Sequence, residues 1–204
     1  MITLQQHFSP DYRIEEQEES ELFASYNEEV SKALVDEFYG ERERFDYNKI
    51  TFEQMAYIEM ALSSSRSIGD KYLEVLLWAH RGAMGFDFDS LKDYFSNITI
   101  GAIILLFDEV MDSRNSFFYE KFDGVIYEKP KEEDEKKEPK PPTREDLFYR
   151  KFGWYDKQKV LCREWNMPFK EVLNETAEDC LTELAYLKYK AVIEEDRRRN
   201  EHQG

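Results

Sequence analysis

The residues able to do chemistry are few and scattered. The only histidines are His7, His80 and His202, and none stands beside a Ser or Cys in a nucleophile motif. His80 closes an apolar helix face, where a structural role is the expectation. Cys162 and Cys180 form no CxxC pair and no Cys/His quartet, so they read as reduced thiols on apolar faces, with no metal site. Gly82 and Gly85 are not followed by the Lys-Ser or Lys-Thr of a phosphate loop. Asp87 and Asp89 open like a calcium loop but lack its Gly and its terminal Glu. The carboxylates within 15–19 and 132–135 lie in strongly polar stretches, and catalytic carboxylates need a fixed setting. No catalytic, cofactor-binding or metal-binding residue is assigned, no cofactor is implied, and the chain reads as a non-enzyme.

Composition narrows the partners. With 44 acidic and 28 basic residues the formal net charge is −16. That opposes phosphate-backbone binding, which needs clustered Lys and Arg, and it opposes adsorption to anionic lipid. The expectation is no nucleic acid and no membrane, but a solvated acidic surface and room for a basic partner. The start, Met1-Ile2-Thr3-Leu4, has no basic flank and no long apolar stretch, so the cytoplasm is the expected site. Asn97-Ile98-Thr99 and Asn174-Glu175-Thr176 match a glycosylation sequon but read better as helix starts.

Elements must position whatever function exists, and they read as helices. Fifteen Phe and thirteen Tyr, with only 8 Gly and 6 Pro, suit packed helices. The most apolar run is Asn97 to Phe107, uncharged until Asp108 and about half the length of a membrane span. It reads as a buried central helix starting near Thr99 and turning amphipathic through Val110, Met111, Phe117 and Phe118. A first helix is expected over 21–39, with Phe23, Tyr26, Val30, Ala33, Leu34 and Phe38 on one face and Gly40 as its stop. Thr51 with Gln54 forms a capping box, stapled by Ile50 and Met55. Asp70 is expected to cap a third helix ended by Gly82, and Asp89 or Ser90 a fourth with Leu91, Tyr94 and Phe95. Gly124 to Tyr127 could be a short extended piece.

The stretch Lys129 to Pro142 has no apolar residue besides its prolines and reads as a linker. Beyond it, Thr143 should cap a helix that Gly153 closes, followed by a second helix with Val160, Leu161 and Trp165. Asn166-Met167-Pro168 breaks that helix, and Asn174 or Thr176 starts the last one. Ala177, Cys180, Leu181, Leu184, Leu187 and Ala191 form its apolar stripe. The expected architecture is all-α, two small helical domains joined by a charged, Pro-rich linker. Residues 1–20 form an acidic arm, 21–127 a domain around the central helix, 128–142 the linker and 143–204 a small C-terminal domain.

This layout resembles the tail assembly chaperones of long-tailed bacteriophages. In the first part the likeness rests on Lys49-Ile50-Thr51-Phe52-Glu53-Gln54-Met55, on Tyr72 through Gly82, on Phe95-Ser96-Asn97-Ile98 and on Phe117-Phe118. In the second part it rests on Phe152-Gly153-Trp154, on Leu161 through Pro168 and on Val172-Leu173. The resemblance covers about two thirds of the chain and implies no catalytic residue. It implies a helical protein that coats the apolar tape-measure protein and recruits tail-tube subunits, with the trailing domain as a second contact. Trp154, Trp165, Met167 and Phe169 are then its candidate partner-binding anchors, since aromatic side chains often dominate interfaces. The rival expectations are a structural or internal virion protein and an acidic inhibitor that mimics nucleic acid.

Overall fold

The computed structural model describes residues 28–82, 87–122 and 143–201. Among them the fold is all-α. The helices are α1 (Glu28–Tyr39), α2 (Phe52–Ser63), α3 (Ile68–Ala79), α4 (Phe88–Asn97), α5 (Ile100–Lys121), α6 (Arg144–Glu164), α7 (Phe169–Val172) and α8 (Ala177–Glu201), with a 3₁₀ turn at Tyr47–Lys49. The expected arm, the linker residues and the piece at Gly124 to Tyr127 lie outside the described residues, as do residues 21–27 of the first expected helix.

Packing divides the chain into two units, Met1–Tyr47 with Tyr57–Ser113, and Asn48–Ala56 with Arg114–Gly204. Helices α2 and α5 each contribute to both. This differs from a division at the linker, because two segments that precede the linker pack with residues that follow it.

The first unit is built around the uncharged run. Ala102, Ile103, Leu106 and Val110 of α5 are fully buried, and so are Val75 and Leu76 of α3 and Phe95 of α4. Thr99 starts α5 by accepting the Ala102 N–H on its hydroxyl at 3.3 Å. The inner face of α1 is Ser31, Val35, Phe38 and Tyr39, whereas the expected Ala33 is exposed. Tyr39 belongs to that arc and draws the face away from Ala33. Gly40 ends α1 at φ +57°, and Gly82 follows α3 at φ +78°; both are left-handed positions that suit glycine. The caps of α3 and α4 sit earlier than expected. Ser67 caps α3 and accepts the Asp70 N–H at 3.2 Å; Asp87 caps α4 and accepts the Ser90 N–H at 2.8 Å. A cap oxygen serves the N–H three residues on, so Asp70 and Ser90 are recipients of caps rather than caps.

The second unit is held by two helix starts that cap each other. Thr51 and Gln54 form the expected box, with the Gln54 N–H on the Thr51 hydroxyl at 3.2 Å and the Thr51 N–H on Gln54 Oε1 at 3.0 Å. The next N–H groups of α2 turn to the lead-in of α8: Phe52 to the Glu175 carbonyl at 2.8 Å and Glu53 to the Leu173 carbonyl at 3.0 Å. In return Ala177, the first residue of α8, donates to the Ile50 carbonyl at 3.0 Å. Thr51 and Thr176 face each other as an antiparallel bridge. Thr176 caps α8 by accepting the Asp179 N–H at 3.1 Å, so the threonines of both sequon matches are helix starts. Ile50, Phe52, Met55, Phe117, Phe118, Leu161, Val172, Ala177, Cys180 and Leu181 are buried in this unit.

Helix α6 runs unbroken through Gly153, which the sequence marks as a stop. Interior glycine costs only about 1 kcal/mol, and Gly153 is not among the positive-φ positions that end helices here. Thr143 caps α6 with Asp146 in a full capping box. Asn166, at φ +50°, makes the expected break, and buried Gln158 ties α6 to α7 by donating to the Phe169 carbonyl at 2.8 Å. The apolar stripe of α8 is buried only through Leu181; Leu184 and Leu187 are half-buried and Ala191 is exposed.

Two outcomes follow from this core. Replacing fully buried Ile103 or Leu106 by Asp should abolish the cooperative melt of the first unit, because an unpaired buried charge costs several kcal/mol, comparable with the stability of a small domain. Circular dichroism checks it, and an unchanged melt would remove α5 from the core. Cleavage within 128–142 should leave two pieces that co-elute on gel filtration, since 48–56 and 114–122 pack with 143–201. Pieces that separate without denaturant would contradict the shared unit.

Candidate partner-binding surface

The helix that carries the candidate anchors exposes a different set of rings. On α6, Trp154, Gln158 and Leu161 recur at four- and three-residue steps and set the inner face. Trp154 is half-buried, with its ring 5.9 Å from Phe52 edge to face and Lys157 Nζ 4.0 Å from its centre. Trp165 and Met167 are half-buried where α6 ends, and their N–H groups bond Leu161 and Cys162 carbonyls. Of these three, Trp154 packs against a ring of the unit's core, Phe52. Phe169 alone of the four anchors is exposed, at 37%.

Phe169 has company that the sequence did not signal. The outer face of α6 carries Phe148, Phe152 and Tyr155, exposed at 48%, 40% and 47%. Phe148 and Phe152 touch at 5.3 Å between ring centres, and Tyr155 and Phe169 at 5.2 Å. Lys159 Nζ lies 4.6 Å over Tyr155. The steps 148, 152, 155 and 159 are helical, so these side chains form one stripe about a third of a turn from the buried face. The sequence hint was available: Trp154, Gln158 and Leu161 set the phase of one helix. Treating Gly153 as a terminator split that helix and lost the phase.

The two units differ in charge. The first carries 22 acidic against 8 basic residues, the second 22 against 20. The aromatic stripe therefore lies in the nearly neutral unit.

The first unit has an exposed aromatic cluster of its own. Tyr57 stacks on Trp78 at 3.9 Å with the rings 2° apart, Phe88 meets Trp78 at 5.8 Å, and the Arg81 guanidinium lies 4.7 Å from the Trp78 ring centre. Beside it an open cleft of about 420 Å³ is lined by Leu73, Leu77 and Phe88, with Arg66, Asp70, Glu74 and Lys92 around them. Arg66 and Glu74 are ion-paired there. Among the described residues no three His, Cys, Asp or Glu side chains are grouped to hold a metal. Nor is any helix among them long and apolar enough to cross a membrane.

Among the described residues His80 is a titratable group with a marked environment. It is 2% exposed and boxed by Phe38, Phe45, Tyr39 and Phe95 at 4.9, 5.6, 5.8 and 6.0 Å. Its Nε2 has no hydrogen-bond partner. Burial alone pushes its pKa down to about 4. Cys180 is likewise buried, and its thiol is pushed up to about 12 by burial and by Glu175 and Asp179, so it stays protonated and inert. Compared with known proteins, the chain matches no protein family, no curated protein and no solved structure.

The histidine gives a signed pH dependence. The unfolded chain takes up a proton near the ordinary histidine pKa, and the folded chain only near 4. Stability from this residue is therefore full above that ordinary value and falls as pH drops toward 4, by at most about 3 kcal/mol. Urea melts of the wild type and His80→Phe should diverge progressively as pH falls from about 7 to about 5. Parallel curves over that range would show that His80 is not the neutral, buried group described.

Proposed function

We propose that the chain is a non-enzymatic tail assembly chaperone of a long-tailed bacteriophage, which binds the apolar, helical tape-measure protein and recruits tail-tube subunits in the host cytoplasm. The reading rests on the resemblance of its residue pattern to such chaperones. The observation that carries it is the exposed stripe of Phe148, Phe152, Tyr155 and Phe169 in a nearly neutral unit of an otherwise acidic chain. Rings at helical spacing fit the apolar face of a partner helix, and the strongly acidic residues of the other unit keep such a complex dispersed.

A chain truncated near residue 140 is a poor test of this reading. It would remove the partners of Phe52, Glu53 and Ile50 and damage the second unit as well as the stripe. Surface variants are cleaner. The double change Phe148→Ser and Phe152→Ser should weaken retention of the tape-measure protein at least about tenfold, since exposed rings at the centre of an interface are frequent hot spots. The melting temperature should stay close to wild type. Undiminished binding would remove the stripe from the interface.

The segregation of charge supports a second reading, an acidic inhibitor whose first unit mimics nucleic acid toward a basic enzyme. Salt separates the two. Binding through rings persists at about 0.5 M salt, whereas a charge mimic releases its partner there. Mass spectrometry of finished particles separates a chaperone, which leaves, from a structural virion protein, which stays.

A further inference from the structure

The last helix has two apolar stripes, and its own unit uses one. Ala177, Cys180 and Leu181 are buried and Leu184 half-buried on the inner side. On another side Tyr186, Tyr189 and Ile193 are exposed at 57%, 56% and 52%. Their spacing of three and four residues is that of a helix-pairing seam. Every residue from Tyr189 to Glu201 is exposed, so about 20 Å of helix lies open among the described residues. A helix that short is marginal in water without a partner.

We propose that this seam pairs with the same seam of a second copy, antiparallel, to make a two-fold dimer. The charges on its flank choose the occupant and the direction. Glu183, Lys190 and Arg197 follow one another at seven-residue steps along one edge of the seam. Antiparallel pairing about a two-fold axis beside Tyr189 sets Tyr186 against Ile193 of the second copy. Within one residue of that register Glu183 lies level with Arg197 of the second copy, twice by symmetry. Among the described residues of its own chain, neither Glu183 nor Arg197 has an ion-pair partner. Parallel pairing would instead place the edges that carry Glu183 and Arg197 on opposite sides of the pair, where they form no such ion pairs. Lys190 meets its own copy near the axis, where a long stem leaves the ammonium in water. Helix dipoles also oppose in the antiparallel arrangement and add to it. The near-neutrality of this unit removes the repulsion that the acidic unit would bring to self-association.

Sedimentation equilibrium of the full chain tests the pairing. The expected result is a dimer that dissociates in the micromolar range. Tyr189→Glu should give a monomer whose far-ultraviolet helical signal falls only by the fraying of the overhang and whose packed part keeps a cooperative melt, because Tyr189 contributes nothing to the core. Arg197→Glu should weaken the dimer about tenfold, and adding Glu183→Arg should restore it. A wild type monomeric at about 100 μM overturns the proposal, as does a dimer that survives Tyr189→Glu. Charge variants that strengthen singly, or a swap that fails to restore, overturn the antiparallel arrangement.

Discussion

The second unit depends on one reciprocal constraint. The first turns of α2 and α8 each have N–H groups that no residue of their own helix can satisfy. Thr51 and Thr176 serve one such group apiece as ordinary caps. Three more are met across the gap between the helices: Phe52 and Glu53 by Glu175 and Leu173, and Ala177 by Ile50. An unsatisfied buried amide costs about 1–3 kcal/mol, so neither helix start is stable at full burial without the other. Phe52, Ile50 and Ala177 are all buried, which makes that condition apply here. The chain must therefore close a loop of more than a hundred residues before either cap is complete. Loop closure of that size adds little beyond a loop half as long, and the apolar side chains brought together offset it.

This explains which parts of the fold were legible. Signals confined to a few neighbours read correctly: the Thr51–Gln54 box, the Thr143 cap, the stops at Gly40 and Asn166, and the uncharged run that became the inner face of α5. Each rests on a bond or a burial pattern within one turn or one helix. The domain boundary rested on composition instead, and composition says where chain is polar, not what packs with what. Nothing in Ile50-Thr51-Phe52-Glu53 signals that its amides meet carbonyls at Leu173 and Glu175. Gly153 misled for a related reason. A glycine ends a helix when its backbone turns left-handed, as at Gly40, and the residue type alone does not say which glycine will.

The exposed aromatic surface was legible in kind but not in place. Aromatic anchors were expected after the linker, and aromatic side chains do lie exposed there. Trp154, one of the two tryptophans of the expected set, turns inward because it shares the phase of Gln158 and Leu161. Phe148 and Phe152 look like core in a sequence, since phenylalanine is usually buried. Only the unbroken length of α6 shows them on the far side. Their exposure is costly to solubility, and it is in the nearly neutral unit that the chain carries it.

His80 illustrates the opposite economy. Four rings enclose a side chain whose Nε2 bonds nothing, and that arrangement is less stable than an apolar residue of similar size would be. A neutral imidazole is tolerable there because three of the four rings meet it edge to face, as they would a small aromatic side chain. An imidazolium is not, because burial removes its hydration and no carboxylate is hydrogen-bonded to it. The first unit thus combines a strongly acidic composition with a core that becomes less stable on acidification. Both effects act in the same direction below neutral pH, since protonating the surface carboxylates also removes the charge that keeps the chain dispersed. Solubility and core stability in this unit are therefore tied to the same variable through different residues.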